Sequence, residues 1–477
     1  MTPSRTTNIA LLYLIIILSA TAVISNLPSF PKRSVGSFEY VRKAEALLDK
    51  GKYGQAVKYF ETAHESSPQN DTISSDLAYA YSMYARMLSG EKRFDDSIKY
   101  LEKAYNVTAN SSTLQNLAGG YSEKALYEAK KGYFDRAKDD YARARKYAAM
   151  SARAARNIGI IIYNDGVGEF KSGNDRTAML CLRESALVYH DPRTLELLGD
   201  IYYKNAEFKK ARYYWHQALF SSQAAGALSK KIRKVTREMA LESRQKEADI
   251  SHFEIRYMED LPLDRDLVAK TLEQAYMDIG KDLGYFPDAR TKIFFYSKDD
   301  FKKTFGMPYF IKAFYDGSIK MPAPETGLDK ERLARYVYHE YTHAIVSAKT
   351  KNNCPAWLSE GLAVWEEVRK GKADMLKVAE SLRNVPEISF RFMDESFRTE
   401  DMSRNKALCY VLGYTLIDFI LDGWGLPGLR GVLNRLSGKQ HIVNAIDDEL
   451  LMSEKDFENK WREYVKAKFF KKSENNP

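Results

Sequence analysis

Between residues 37 and 222 the chain repeats a pattern whose period is too long for one helix and suits a pair of them. The stretch "GKYGQAVKYFETAHESSP" places Ala56, Phe60 and Ala63 along one helical face, with Pro68 closing the segment. The pattern returns at Ser97, Leu101 and Ala104, at Ala137, Tyr141 and Ala144, more weakly at Ala178, Leu182 and Ser185, and again at Ala211, Trp215 and Ala218. A small residue admits close helix contact, and a larger one a turn away fills the next groove. Such units cannot bury their apolar faces singly, so they must stack into an all-α solenoid.

The last copy, "LELLGDIYYKNAEFKKARYYWHQAL", also carries Leu198, Gly199 and Tyr202 in its first helix. These residues resemble the tetratricopeptide repeat (TPR). The resemblance implies a scaffold first, and second a face on which a protein partner or a peptide substrate docks. Successive copies lie 41, 40, 41 and 33 residues apart, so three units carry extra helical turns or longer loops. The family's ligand-groove geometry is not carried over to them.

At 477 residues the chain is too long for one ordinary domain, and 44% hydrophobic with 29% charged residues describes a globular protein. The net charge of +9 is spread along the chain apart from "SKKIRKVTRE" and "KAKFFKK". No basic stripe is interleaved with aromatics, which argues against nucleic-acid binding. Cys181, Cys354 and Cys409 form neither a disulfide framework nor a CxxC site, and a single bridge stays open. Residues 1–30 read as a signal peptide or membrane anchor: "NIALLYLIIILSATAVIS" follows Arg5, and Ala20-Thr21-Ala22 has the small-x-small form of a cleavage site. The body is expected to be exported, periplasmic or otherwise extracytoplasmic, and anchored to the inner membrane by residues 8–25 if these are kept. Lys32 and Arg33 leave the orientation open.

Residues 223–247 are charged and helix-prone, and read as a linker helix. From 248 to 470 the periodicity changes. "HFEIRY" and "TKIFFYS" read as strands, "DLVAKTLEQAYMDIGKDLG" as a helix between them, and "DGSIKMPA" as a further short strand. Strands alternating with helices, then helices alone, describe an α+β domain. The strand at 317–322 is expected at a sheet edge, where Gly317 and Ser318 would let an extended peptide approach and add a strand.

"HEYTH" follows, with two of the chain's seven histidines, His339 and His343, on one helical face. Their imidazoles can reach a single Zn2+, and Glu340 between them can take a proton from a water held by the ion. The same spacing also suits two core histidines beside a solvated Glu. A third ligand is needed. "KTKNN" breaks the helix near residue 350, and Pro355 opens a second one five residues before Glu360. The two legs, roughly 10 and 8 Å at 1.5 Å per residue, bring Glu360 back level with the histidines.

HEYTH followed by PAWLSEGLAVW resembles the gluzincin metallopeptidases, particularly the peptidase MA-like domains that bacterial proteins carry beside TPR repeats. The resemblance implies a zincin-like, thermolysin-like α+β fold, zinc ligands at His339, His343 and Glu360, and a general base at Glu340. "CYVLGYTLIDFILDGWG" resembles the gluzincin aminopeptidase helix that supplies a tyrosine before a YxxG step. The match falls on Tyr410 with Gly413, and Tyr414 one turn later is the fallback. Two departures stand out. No GxMEN-like stretch lies upstream, so exopeptidase activity is not implied. Val364 stands where some relatives place an Asp that orients a ligand His, which leaves Glu366 and Glu367 as candidates on uncertain faces.

The expectation is therefore a multidomain chain: an all-α TPR-like solenoid, then a zinc metallopeptidase cutting a protein or peptide substrate. A repeat scaffold whose zincin domain binds without cutting is the second reading. A zinc hydrolase of cell-envelope amides is the third.

Overall fold

The computed structural model describes residues 38–220, 225–259, 261, 263–306, 313–323, 330–369, 382–383, 385, 387–397 and 404–470. The expected signal or anchor segment, residues 1–30, lies outside the described residues. Among the described residues no helix is long and apolar enough to cross a membrane. The chain divides into two compact units, Met1–Asp165 with Glu184–Tyr189, and Gly166–Arg183 with His190–Pro477.

The first unit is a stack of helical hairpins. It holds α1 (Phe38–Asp49), α2 (Tyr53–Ser66), α3 (Asp71–Gly90), α4 (Phe94–Val107), α5 (Ser111–Lys130) and α6 (Phe134–Ala148). Parts of α7 (Ala152–Lys171) and α8 (Asp175–Val188) belong to it as well. Four of the five predicted triplets lie on α2, α4, α6 and α8, and every member is buried. Where serine replaces alanine its hydroxyl donates to a backbone carbonyl of the preceding helix, Ser97 to Ala85 and Ser185 to Gly159, both at 2.8 Å. A buried hydroxyl is thereby satisfied without widening the contact. Tyrosines tie two of the first helices, α3 and α5, to the repeat before: Tyr81 donates to Glu61 at 2.6 Å and Tyr121 to Glu102 at 2.9 Å.

The irregular spacing is helical turns, not loops. Helices α3, α5 and α7 are each 20 residues long, whereas α9 (Pro192–Lys204), the first helix of the last hairpin, has 13. The surplus is about two turns.

The second unit holds that last hairpin, α9 and α10 (Phe208–Leu219), then α11 (Ala225–Glu242) and a five-stranded sheet. Its strands are β1 (Gln245–Ile250), β2 (Phe253–Met258), β3 (Thr291–Tyr296), β4 (Phe314–Tyr315) and β5 (Ile319–Pro322), in the order β1-β2-β3-β5-β4. β2, β3 and β5 run parallel, with Ile255 beside Ile293 and Ile293 beside Ile319, while β1 and β4 are antiparallel flanks. Two expectations are corrected here. Residues 245–247 do not end a linker helix but start β1, which pairs with β2. The 317–322 strand is not an edge, because β4 pairs with it through Phe314 and Tyr315.

Alternation along the strands makes two faces. Phe253, Ile255, Ile293, Phe295, Ile319 and Met321 enter the main core with α12 (Arg265–Leu283) and α14 (Lys330–Lys349). The opposite face carries Arg256, Phe294, Tyr296 and Lys320. It is covered by the last hairpin, α11 and α13 (Lys298–Phe305): Phe208 packs 5.8 Å from Phe294, and Phe305 packs edge-on to Tyr296 at 5.3 Å. Lys320, 0% exposed, sits there in a ring of partners. Its Nζ lies 2.5 Å from Asp316, 3.0 Å from the Tyr203 hydroxyl and 3.3 Å from Glu238. Tyr203 donates to Glu238 at 2.5 Å, and Lys234 reaches Asp316 at 3.1 Å. Two cations thus meet two carboxylates. Gly317 (φ 107°) completes the junction: a Cβ there would fall 2.2 Å from the Lys204 carbonyl oxygen. The room foreseen at Gly317 for a peptide is filled by α9.

After α14 the chain is helical: α15 (Ala356–Val368), α16 (Phe390–Phe397), α17 (Arg404–Ser437), α18 (Ile442–Leu450) and α19 (Glu454–Val465). Helix α17 breaks at Gly425 (φ 63°) ahead of Pro427. All three cysteines are free thiols.

Candidate metal centre

Helix α14 stops where the sequence says it should. Lys351 (φ 52°) and Asn352 (φ 59°) adopt left-handed backbone, and the Asn352 amide donates back to the Ser347 carbonyl at 2.8 Å. The Asn352 side chain accepts from Ser347 at 2.6 Å and from Lys204 at 2.5 Å, which fixes the turn. Pro355, with φ −57°, sits just before α15 and directs it back along α14. Trp357 anchors α15: it is buried, stacks 5.5 Å from Phe390 and donates its indole N–H to Asp394 at 2.8 Å. Where α15 crosses α17 the contact is glycine on glycine. A Cβ on Gly361 would lie 2.4 Å from the Gly413 carbonyl carbon. This approach sets Glu360 beside the stretch of α17 that carries Tyr410.

The hairpin brings His339, His343 and Glu360 together. Glu360 Oε2 lies 3.6 Å from His339 Nε2 and 3.5 Å from His343 Nε2. One donor atom from each falls within 4.8 Å of the others, the spacing of a group able to share one ion. Two imidazoles and a carboxylate are a fitting donor set for zinc. The outer ring nitrogens are also held. His339 Nδ1 is 3.1 Å from Glu367 Oε2, and His343 Nδ1 is 2.8 Å from Ser359 Oγ. Arg335 holds the other Glu367 oxygen at 2.6 and 3.1 Å. With Nδ1 held outward, Nε2 is the ring nitrogen that each histidine turns to the shared position.

Of the two acids left open by the sequence, the one beside His339 is Glu367. Its signal is its spacing, two helical turns from Glu360 and so on the same face. Glu366 is buried and pairs with Arg369 at 3.2 Å. Ser359 and Arg335 carried no signal beyond adjacency to a ligand and a one-turn offset from His339.

Charges follow this geometry. Burial alone would depress the His339 imidazolium, but its bonds to Glu360 and Glu367 outweigh burial and raise its pKa to about 10. Burial would raise the Glu360 carboxyl, and the two histidines override it, bringing it to about 2. Glu340 goes the other way: burial lifts its carboxyl above the usual range against the pull of both histidines. Burial also raises the Tyr410 hydroxyl, with the charges of Glu360 and Glu340 adding to it, so Tyr410 lies within the field of the site. Burial raises the Tyr414 hydroxyl too, and the charges it feels are those of Asp418 and Lys468.

Residues 326–467 match the family model of the Peptidase MA superfamily. Among solved structures, the chain is 17% identical to TTC0263, a thermophilic TPR protein of Thermus thermophilus, over 42% of this chain and 98% of that one, with a TM-score of 0.19. It is 13% identical to the TPR domain of P58(IPK), over 93% of this chain and 100% of that one, with a TM-score of 0.17. At these scores the helical-repeat architecture rests on the chain's own packing. No curated protein matches the chain.

Proposed function

We propose that the Peptidase MA superfamily domain at residues 326–467 is the catalytic part of a zinc metallopeptidase that hydrolyses peptide bonds of a protein or peptide substrate. The observation that carries this reading is the convergence of His339, His343 and Glu360 beside the buried Glu340. His339, His343 and Glu360 would hold the ion. When bound, zinc supplies Lewis acidity toward the scissile carbonyl and toward a water molecule.

The remaining work falls to side chains of this chain. Glu340, whose burial raises its carboxyl above the usual range and so makes its carboxylate the stronger base, takes a proton from the attacking water and hands it to the leaving amine. Tyr410 keeps its hydroxyl proton and donates it as a hydrogen bond to the oxyanion that develops on the attacked carbonyl. Glu367 and Ser359 fix the rings of His339 and His343. The repeats serve as a docking module for substrate or a protein partner, and the apolar segment at residues 8–25 favours an exported or inner-membrane-anchored body.

Glu340→Gln keeps the shape of the side chain and removes the base. Metal analysis and a peptide-library digest of both proteins test the reading. One zinc in each, with turnover in the wild type alone, is expected. Turnover retained by the variant rejects the mechanism. Zinc without turnover in either protein leaves a binding scaffold.

A further inference from the structure

The last hairpin presents two different surfaces from neighbouring residues. On α9, Tyr203 enters the buried junction with Lys320 while Tyr202 turns to a surface cleft. On α10, Phe208 packs on the sheet while Lys209, Lys210, Tyr213 and Tyr214 line the same cleft. Arg183 of α8 completes it, and its volume is about 350 Å³. Lys210 is paired with Glu207, but among the described residues Arg183 and Lys209 have no ion-pair partner. Tyr202 and Tyr214 stack on each other at 5.3 Å and 7°, with the Lys210 ammonium 5.1 Å over Tyr202. Tyr213 stands edge-on to Tyr214 and is 59% exposed.

These features define a ligand. Three cations with one carboxylate among them ask for negative charge. Tyr202 and Tyr214 spend their facing surfaces on each other, so this pair offers edges and hydroxyls rather than a slot for a flat base. An exposed Tyr213 face suits an apolar or aromatic side chain between the charges. We propose that the cleft binds an acidic stretch of polypeptide bearing aromatic residues and, through the hairpin's packing on the sheet, tethers the peptidase substrate. That the bound chain is a substrate rests on the metallopeptidase reading; the binding does not.

The test titrates the full-length Glu340→Gln protein into a fluorescein-labelled peptide repeating Glu-Glu-Phe, and into its Gln-Gln-Phe isostere, by anisotropy. Roughly tenfold or stronger preference for the acidic peptide is expected, weakening as salt screens the charges. Arg183→Glu combined with Lys209→Glu removes the preference; both positions are exposed, so the fold is retained. Tyr213→Ala lowers affinity for both peptides. Equal binding of the two peptides, an unchanged preference after charge reversal, or a labelled oligothymidylate binding as tightly as the acidic peptide each overturns the proposal. Wild-type digestion of the same peptides separates the two readings. Acid-selective binding without cleavage keeps the cleft and removes the peptidase, and cleavage without acid-selective binding does the reverse.

Discussion

Lys320→Met tests how the sheet is joined to the helices before it. The native ammonium is fully buried and contacts Asp316, Glu238 and the Tyr203 hydroxyl. Methionine fills the same space without the charge. Asp316 keeps Lys234 at 3.1 Å, so its loss is partial. Among the described residues Glu238 then keeps the Tyr203 hydroxyl alone as a hydrogen-bond partner, at 2.5 Å, and burial already raises its carboxyl against the pull of both lysines. Removing one partner of a buried pair costs about 3–5 kcal/mol; the surviving Lys234 contact puts this case near 3 kcal/mol. Urea unfolding followed by tryptophan fluorescence reads the right unit, since all five tryptophans, Trp215, Trp357, Trp365, Trp424 and Trp461, lie in the second one. The loss should shrink in mildly acid buffer, where the stranded Glu238 takes a proton. Adding Glu238→Gln should recover at least about 1 kcal/mol, a coupling typical of contacting groups. A loss below about 1 kcal/mol, or no recovery in the double variant, refutes the buried-charge account.

Glu367→Gln should leave the fold intact and weaken zinc binding by roughly 10–100-fold, the usual effect of loosening a ligand's outer partner, as read by competition with a chelating dye. In the metal-free protein, His339 and Glu360 give opposite pH limits. The imidazolium, raised from 6.5 to about 10, stabilises fully below 6.5 and loses its contribution as pH rises toward 10. The carboxylate, lowered from 4.5 to about 2, stabilises above 4.5 and loses its contribution as pH falls toward 2. Thermal melts of the chelated protein should therefore be best between those inner values. Zinc must displace the His339 proton, so apparent affinity should rise by about tenfold per pH unit through neutrality; a flat profile would mean that the proton is not held there.

What could be read from the sequence was whatever local spacing encodes. The small-large-small triplets lie buried on second helices because helical period alone decides which side chains face inward. The meeting of His339, His343 and Glu360 was legible for the same reason, through two histidines one turn apart and a hairpin whose arms count out to similar lengths. β1 was not legible: "QKEADI" is a half-exposed flank with no apolar alternation, and it is a strand only because β2 offers it hydrogen bonds. β4 has two residues, too few for any pattern, yet it decides that β5 is not an edge. Lys320 reads as a polar residue in a short strand, and the Tyr203 that shares its burial is 117 residues away in sequence.

That distance bears on where the folding unit around the Peptidase MA match begins. The Peptidase MA match starts at residue 326, and the change of periodicity near 248 invites a cut there. Either cut would strip the sheet face of Phe294, Tyr296 and Lys320 of its cover from α9, α10 and α11, or remove strands outright. Bare aromatic strand faces associate rather than stay monomeric. A fragment from residue 166 onward keeps the whole second unit, including both partners of every contact around Lys320. It should be soluble and melt cooperatively by tryptophan fluorescence, whereas a fragment from residue 248 should aggregate. Equal behaviour of the two would show that the hairpin is an appendage. The expected difference makes the last repeat part of the peptidase fold, its inner face completing the sheet and its outer face left for a ligand.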